Sequence, residues 1–442
     1  MVVGADMKDV LGIVLAGGEG ARLQPLTGRR CKPAMPFHGK HQLVDFVLSN
    51  LVNSQLASIY LLVQYRSQAL IDHVAASWTA GPHMAGRFIT AVPPQMPGQT
   101  HGFLGTADAV YQSMRLIEAV RPKLVAVFGA DHVYRMDVRQ MVDFHRARRA
   151  QATVATIPVP TQDCHHFGIV QLDAQARITG FLEKPRAIAP GRGNRTQVPA
   201  SMGNYIFDAD VLLQQLRRMH AAGGTDFGRH VLPAMVDTHR LLAYDFRANR
   251  VPGKQPGEEP AYWRDVGTID AYFAAQFDTV GARPKFAMAN SHWPIHAAAD
   301  AVGAAQVDCA AIRRCVLACG SVVAGGTLDG AILRAGVHVE PGAQLHDCIV
   351  LDGSRIGRGA HVRRAIIDRD NHVPAGERIG IDPVHDRARF AVSAGGVVVV
   401  PAGYYPEVAG AGVAVSGQEE FACNALHRST LPRGAGPAWQ SL

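Results

Sequence analysis

From residue 333 onward the chain repeats itself in sixes. Branched or long apolar side chains stand at Leu333, Val339, Leu345 and Leu351. They resume after a five-residue step at Ile356 and Val362, and after another at Ile367, Val373 and Ile379. Glycine and small residues fill the turns between them, as in LDGSRIGRGAHV, residues 351–362. A period of six matches one flat face of a parallel β-helix, whose stacked coils align apolar side chains in a continuous inner column. An irregular β-sandwich gives such spacing only by accident. The period predicts a β-helix over residues 311–442. Its tail from Ser393 onward, rich in Gly, Ala and Val, breaks the period and is expected to pack over the coil end.

The first 285 residues are built differently. Short apolar runs at 10–16, 59–63, 124–128 and 153–157 suit strands buried on both faces of a parallel sheet. Helix-compatible stretches such as 45–55 and 106–120 lie between them, which predicts a layered, doubly wound α/β domain. The expected organisation is therefore an α/β domain over 1–285, a linker over 286–310, and the β-helix. A chain of 442 residues fits two domains.

Composition removes several classes. Hydrophobic residues make up 48% and charged residues 18%, enough to bury two cores. No apolar run reaches the roughly 18–20 residues of a membrane span, and the N-terminal MVVGADMKDV has no signal-like apolar region. Seven cysteines lack zinc spacing, so reduced thiols and a cytoplasmic location are expected. The formal charge of +7 is dispersed, without Lys/Arg runs or interleaved aromatic residues. That argues against nucleic acid and suits small phosphorylated anions.

The first apolar run leads straight into GGEGARLQPL, residues 17–26. No GK[ST] follows, as a Walker loop requires, and the dinucleotide-binding spacing fails, with Pro25 interrupting a helix. What remains is a phosphate nest of Gly17, Gly18 and Gly20 amides. Arg22 and, from RRCKPAMPF, Lys32 stand beside it, two cations suited to a triphosphate. Asp131 lies just past the run 124–128, at the edge where open α/β sheets bind ligands. A carboxylate there beside a triphosphate is a natural Mg²⁺ ligand.

The segment LAGGEGARLQPLTGRRCKPAMPFHGKHQLVDF is similar to the N-terminal signature of sugar nucleotidyltransferases. GTADAV (105–110), GADHVY (129–134), FGIV (167–170), FLEKP (181–185), SMGNYIF (201–207), DFG (226–228) and YWRDVGT (262–268) follow. In order and spacing, from about residue 10 to 380, these resemble the glucose-1-phosphate adenylyltransferase family. The resemblance implies a nucleotidyltransferase domain followed by a left-handed β-helix, a homotetramer, and transfer of an adenylyl group from ATP to glucose 1-phosphate for α-glucan synthesis. It assigns Mg²⁺ to Asp131 and Asp265, with Arg22 and Lys32 neutralising charge on the phosphates. Lys184 holds the sugar phosphate and Glu183 the sugar hydroxyls, with Phe103, Gly168 and Ser201 beside the hexose. Thr106 and Asp108 fall in the segment next to the nucleoside. In a strand Glu183 and Lys184 face opposite ways, so a bend near Pro185 is needed for both to reach one ligand.

Blander roles stand beside these. Gly168 and Ser201 fit ordinary turns, Arg22 a surface ion pair, and Lys184 a solvated face. Thr106 and Asp108 fit a plain capped helix. The chain also departs from the family. Phe103 stands where a tyrosine is usual, so its ring remains but the hydroxyl hydrogen bond is lost. Pro36, Gln42 and Val392 replace basic residues that some bacterial members use for regulatory ligands. Arg29, Arg30 and Arg369, with Arg389, are left, and a bisphosphate activator such as fructose 1,6-bisphosphate is expected to act weakly or not at all. Competing functions are a sugar nucleotidyltransferase for another base or hexose, a catalytically silent regulatory subunit, and an acyltransferase. The last leaves the phosphate-binding motifs unexplained.

Overall fold

In the computed structural model, which describes residues 6–95, 102–187, 196–297 and 303–407, the strand Val10–Ala16 is the hinge of the N-terminal architecture. It pairs in parallel with Ser58–Val63 on one side and Leu124–Gly129 on the other, and Ser58–Val63 pairs in parallel with Phe88–Val92. Its side chains alternate between two cores, Val10, Val14 and Ala16 in one and Leu11 and Ile13 in the other. Burial on both faces is why the run is apolar throughout. Helices Val44–Asn53 and Val138–Ala147 cover the first face, and Thr106–Gln112, Met114–Val120 and Ala209–Ala221 the second. The helix-compatible stretch 106–120 is helical as expected, in two helices divided at Ser113.

The nine-stranded sheet is mixed. Beyond Leu124–Gly129 the long strand Gln197–Asp208 runs antiparallel, and Ala152–Pro160 runs antiparallel to that. The run 153–157, read as part of a parallel sheet, is parallel only to Leu241–Asp245. Its apolarity reports burial on both faces and says nothing of direction. Leu15 stands opposite Gly129, so the loops that follow these two central strands emerge side by side.

The C-terminal strands stack as a β-helix whose coil takes 17 residues. Leu328, Leu345, Val362 and Ile379 are in register, as are Leu333, Val350 and Ile367, and Val339, Ile356 and Val373. Val350, and not Leu351, therefore fills the inner column; Leu351 is buried in the core shared with the N-terminal domain. The short side of each coil is a five-residue step, 345–350 and 362–367, so the step expected from Leu351 to Ile356 lies one side too late. A second ladder, Ile332, Ile349, Ile366 and Val399, points outward and is fully buried with Met35, Phe37 and Tyr272. The strand Val398–Val400 thus adds a rung to the coil, although it lies in the tail expected only to cover the end. The rest of that tail, residues 408–442, lies outside the described residues. Within the span expected as a linker, Trp293 donates to Asn50 Oδ1 at 3.3 Å and the His296 amide to Ser49 Oγ at 2.8 Å. The first paired strand of the coil is Gln306–Val307.

Polar groups flank the apolar contact between the two parts. Arg334, 7% exposed, donates to the carbonyls of Phe37, His38 and His41 and pairs with Asp352 at 2.9 Å. Burial, with repulsion from His41 and Arg334, pushes His38 down to about 4, and burial beside His83 does the same to His296. A histidine depressed on folding stabilises fully above its unfolded pKa near 6.5 and loses that contribution as pH falls toward the folded value. Stability is therefore expected to decline between pH 6.5 and 4.5 by up to about 1.4 kcal/mol per pH unit per such histidine. Denaturant unfolding at pH 7 and pH 5 checks this, with His38→Asn giving the shallower decline. A stability unchanged across that window contradicts it.

Candidate active site

Three residues far apart in sequence meet where the two central strands end. Lys32, in the short turn Lys32–Ala34, places its Nζ 2.9 Å from Asp131 Oδ2 and 3.0 Å from Asp265 Oδ1. Asp131 follows the strand Leu124–Gly129. Asp265 ends the strand Trp263–Asp265, whose antiparallel pairing with His132–Tyr134 sets Asp265 opposite His132. Two backbone ladders thus fix the carboxylates, and the ammonium joins them.

The electrostatics follow from this placement. Burial alone would lower Lys32 and raise Asp131. The two carboxylates reverse the first and hold the ammonium above its ordinary value. Lys32, helped by His132, reverses the second and holds Asp131 far below the usual carboxylate range. The carboxylates of Asp131 and Asp265 and the His132 ring offer donor atoms within 4.8 Å of one another. Two hard oxygen donors facing a position that already attracts positive charge fit a divalent cation of the Mg²⁺ type.

These groups lie in a cleft of about 570 Å³. Gly17, Gly18 and Gly20 line it, and a side chain at Gly18 would meet nothing within 4 Å, so that stretch of backbone is open to a ligand. Gly20 has φ of +68°, a left-handed conformation that starts the turn Ala21–Leu23. The turn carries Arg22 into the cleft, where it makes no ion pair among the described residues.

Glu183, Lys184, Gly168, Ser201 and Phe103 also line the cleft, with the Phe103 ring beside Gly17. The strand Ile178–Glu183 ends at Glu183, and Lys184 adopts φ of +47°. That left-handed residue, immediately before Pro185, supplies the required bend, and both neighbours line the cleft with Lys184 Nζ 3.4 Å from Glu183 Oε1. Gly168 makes room for protein: a Cβ there would lie 2.7 Å from the Phe181 ring and 3.0 Å from Glu183 Oε2. Ser201 sits at a break in strand register, its hydroxyl accepting from the Gly203 amide at 3.2 Å. Phe103 is held by its backbone, which exchanges hydrogen bonds with the Gln64 amide.

Thr106 lines the cleft but does not cap its helix. Gly105 occupies the cap position, while the Thr106 hydroxyl donates to Asp226 Oδ2 at 2.9 Å and accepts from the Phe227 amide at 3.0 Å. Asp108 is buried away from the cleft, accepting from the Leu104 amide and Gln112. Arg29, Arg30 and Arg369 also lie outside the lining. Arg30 is 4% exposed and paired with the buried Asp368 of the β-helix, so its charge is already engaged. Gln64, His132, His166, Tyr205 and Trp263 line the cleft without having been singled out in the sequence. His132, Tyr205 and Trp263 lie within the quoted motifs GADHVY, SMGNYIF and YWRDVGT, whereas Gln64 and His166 left no signal.

A phosphate-sized glycine loop, two cations and paired carboxylates at the end of a doubly wound sheet define a nucleotidyltransferase. The chain matches the nucleotidyl transferase family over residues 11–280 and the family described as GlmU-like, C-terminal hexapeptide over residues 297–400. It is 44% identical over 396 residues to a glucose-1-phosphate adenylyltransferase of Thermodesulfovibrio yellowstonii, covering 89% of this chain and 96% of that protein. With proteins of the same name from Corynebacterium jeikeium and Anaeromyxobacter it shares 43% and 41%, in each case over 89% of this chain and 98% of the relative. The chain belongs to the glucose-1-phosphate adenylyltransferase family, and its hexapeptide domain is the left-handed β-helix of that family.

Glu183 depends on a glycine outside the expected set. A Cβ on Gly228 would collide with its carboxylate. Gly228→Ala is therefore expected to turn the Glu183 carboxylate aside, a movement that a flexible side chain makes at little cost in stability. The KM for the substrate that Glu183 contacts should rise while the unfolding midpoint stays nearly unchanged. Steady-state kinetics beside chemical unfolding of the variant read both. An unchanged KM would contradict the packing described.

Proposed function

We propose that the protein transfers the adenylyl group of ATP to α-D-glucose 1-phosphate, forming ADP-glucose and pyrophosphate for glycogen or a related α-glucan. The observation that carries this reading is the meeting of Lys32, Asp131 and Asp265, residues 99 and 233 positions apart from the lysine, at the floor of one cleft. The names of the relatives supply the substrates.

Both reactants are anions, so the barrier is one of charge and position, and no covalent protein nucleophile is needed. A phosphate oxygen of glucose 1-phosphate forms a bond to the α-phosphorus of ATP. The bond from that phosphorus to the bridging oxygen of the β-phosphate breaks, and pyrophosphate leaves with the electron pair. Arg22 and the Gly17–Gly20 amides receive the β- and γ-phosphates, and Lys32 lies beside the α-phosphate. Lys184 grips the phosphate of the sugar as a point charge, Glu183 accepts from the hydroxyls, and Gly168, Ser201 and Phe103 bound the hexose. Thr106 positions the nucleoside end through its tie to Asp226. Asp131 and Asp265 would hold Mg²⁺, which would supply Lewis-acid stabilisation of charge on the α-phosphate.

We place the enzyme in the cytoplasm as a homotetramer. Among the described residues no helix is long and apolar enough to cross a membrane.

Pyrophosphate release by the purified chain, compared across ATP, UTP, GTP and dTTP with several sugar 1-phosphates, tests the reading. ATP with glucose 1-phosphate should give the highest kcat/KM. No turnover, or a clear preference for another pair, refutes it. Loss of one charged contact is worth about 1.5–3 kcal/mol. Lys184→Ala should thus raise the KM for glucose 1-phosphate by about tenfold or more, with a much smaller change for ATP. Equal shifts for both substrates would overturn the role given to Lys184.

A further inference from the structure

The two-stranded ladder that carries Asp265 has a second cavity at its far end. It encloses about 310 Å³ and shares no lining residue with the catalytic cleft. Arg135 comes directly after the strand His132–Tyr134, Tyr262 directly before Trp263–Asp265, and the loop bearing Arg247, Arg250 and Lys254 closes the space.

The charges around it do not balance. Both acids in the wall are occupied: Glu258 accepts from Arg135 and from the amides of Gln255 and Ala287, and Glu259 is paired with Arg264. Arg247 is locked to Asp245 by both carboxylate oxygens. Arg250 and Lys254 are left, and among the described residues their side chains donate only to backbone carbonyl oxygens. Behind them Arg135, 7% exposed, lies over the Phe286 ring at 4.2 Å, and its Nε has no partner. It shares with the rest of the wall a single carboxylate, 3.3 Å away. Burial, with repulsion from Arg250 and Arg135, holds the Lys254 ammonium below its ordinary value even though Glu258 and Glu259 are near.

A cation that finds only carbonyl partners gains from an anion, and charge-assisted bonds to guanidinium are the strong ones. Phe246, Tyr262 and Phe286 add apolar wall. A volume near 300 Å³ is the lower end of small-molecule sites, which limits the occupant to a compact metabolite. We propose that this cavity binds a small metabolite through one phosphate or carboxylate oxyanion, gripped by Arg250 and Lys254 and backed by Arg135. Nothing in the transfer reaction requires such a site, and its presence does not depend on which nucleotide or sugar the cleft takes.

Equilibrium dialysis of the full chain with labelled orthophosphate tests this, with the cleft held by Mg²⁺ and α,β-methylene-ATP. About one phosphate per chain is expected to remain bound. Its Kd should rise tenfold or more in Arg250→Gln/Lys254→Gln and in Lys254→Gln alone, and stay unchanged in Lys184→Gln. Both substituted residues are exposed, and an unaltered Tm confirms their folding. Displacement by glycerol 3-phosphate identifies a phosphate ester, and displacement by succinate a carboxylate. No phosphate bound beyond the cleft, binding that survives the double substitution, or displacement by neither competitor overturns the proposal.

Discussion

Lys32 is held at about hydrogen-bond distance by two carboxylates that arrive from different parts of the fold, and most of the cleft depends on that bridge. The ammonium ties the loop after the first strand to the end of the strand Leu124–Gly129 and to the short strand Trp263–Asp265. Without it two acids would face each other across a partly buried gap, each disfavoured by burial and by the other. With it, three cations, Arg22, Lys32 and Lys184, and two acids, Asp131 and Asp265, line one cleft. Lys32 is already paired with both acids, whereas Arg22 makes no ion pair among the described residues.

The β-helix is more than an appended unit. Its inner column is ordinary for stacked coils, but its outer face carries Ile332, Ile349, Ile366 and Val399 as an unbroken apolar ladder against the N-terminal domain. Arg334 and the pair of Arg30 with Asp368 border that ladder. The same turn of chain that supplies Phe37, His38 and His41 to this contact begins with Lys32. The coil thus packs against a segment that starts only five residues after Lys32. Arg30 shows the consequence for regulation: a cation already committed to a buried carboxylate is not free to receive a bisphosphate.

Much of this was legible in the sequence, and the reasons for the rest are physical. The buried strands, the glycine loop and Asp131 at a strand end could be read because each depends on neighbours a few residues away. The coil of 17 residues was partly legible. The steps of six and five were visible, yet Leu351 and Val350 differ only in which way the backbone turns, and the pattern alone chose the wrong one. Pairing direction at 153–157 left no mark, since burial on both faces looks alike in either sense. Thr106 looked like a helix cap because the cap rule is local, whereas its hydroxyl answers to Asp226, 120 residues away. Gly228 and Glu183, or Arg30 and Asp368, are contacts that only folding creates. Contact of both Glu183 and Lys184 with one ligand demands a bend, which the sequence marks only by Pro185; that it arises from a left-handed lysine has no mark in the composition.

The central claim is that Asp131 and Asp265 share one divalent ion. Titration of the protein with Mn²⁺ in the presence of ADP-glucose, followed by the electron paramagnetic resonance of the free ion, tests it most directly. One bound ion per chain is predicted, with affinity falling at least tenfold in Asp131→Asn and equally in Asp265→Asn. Full affinity in either variant would mean that the two carboxylates do not hold a common ion, and the account of the cleft would fail.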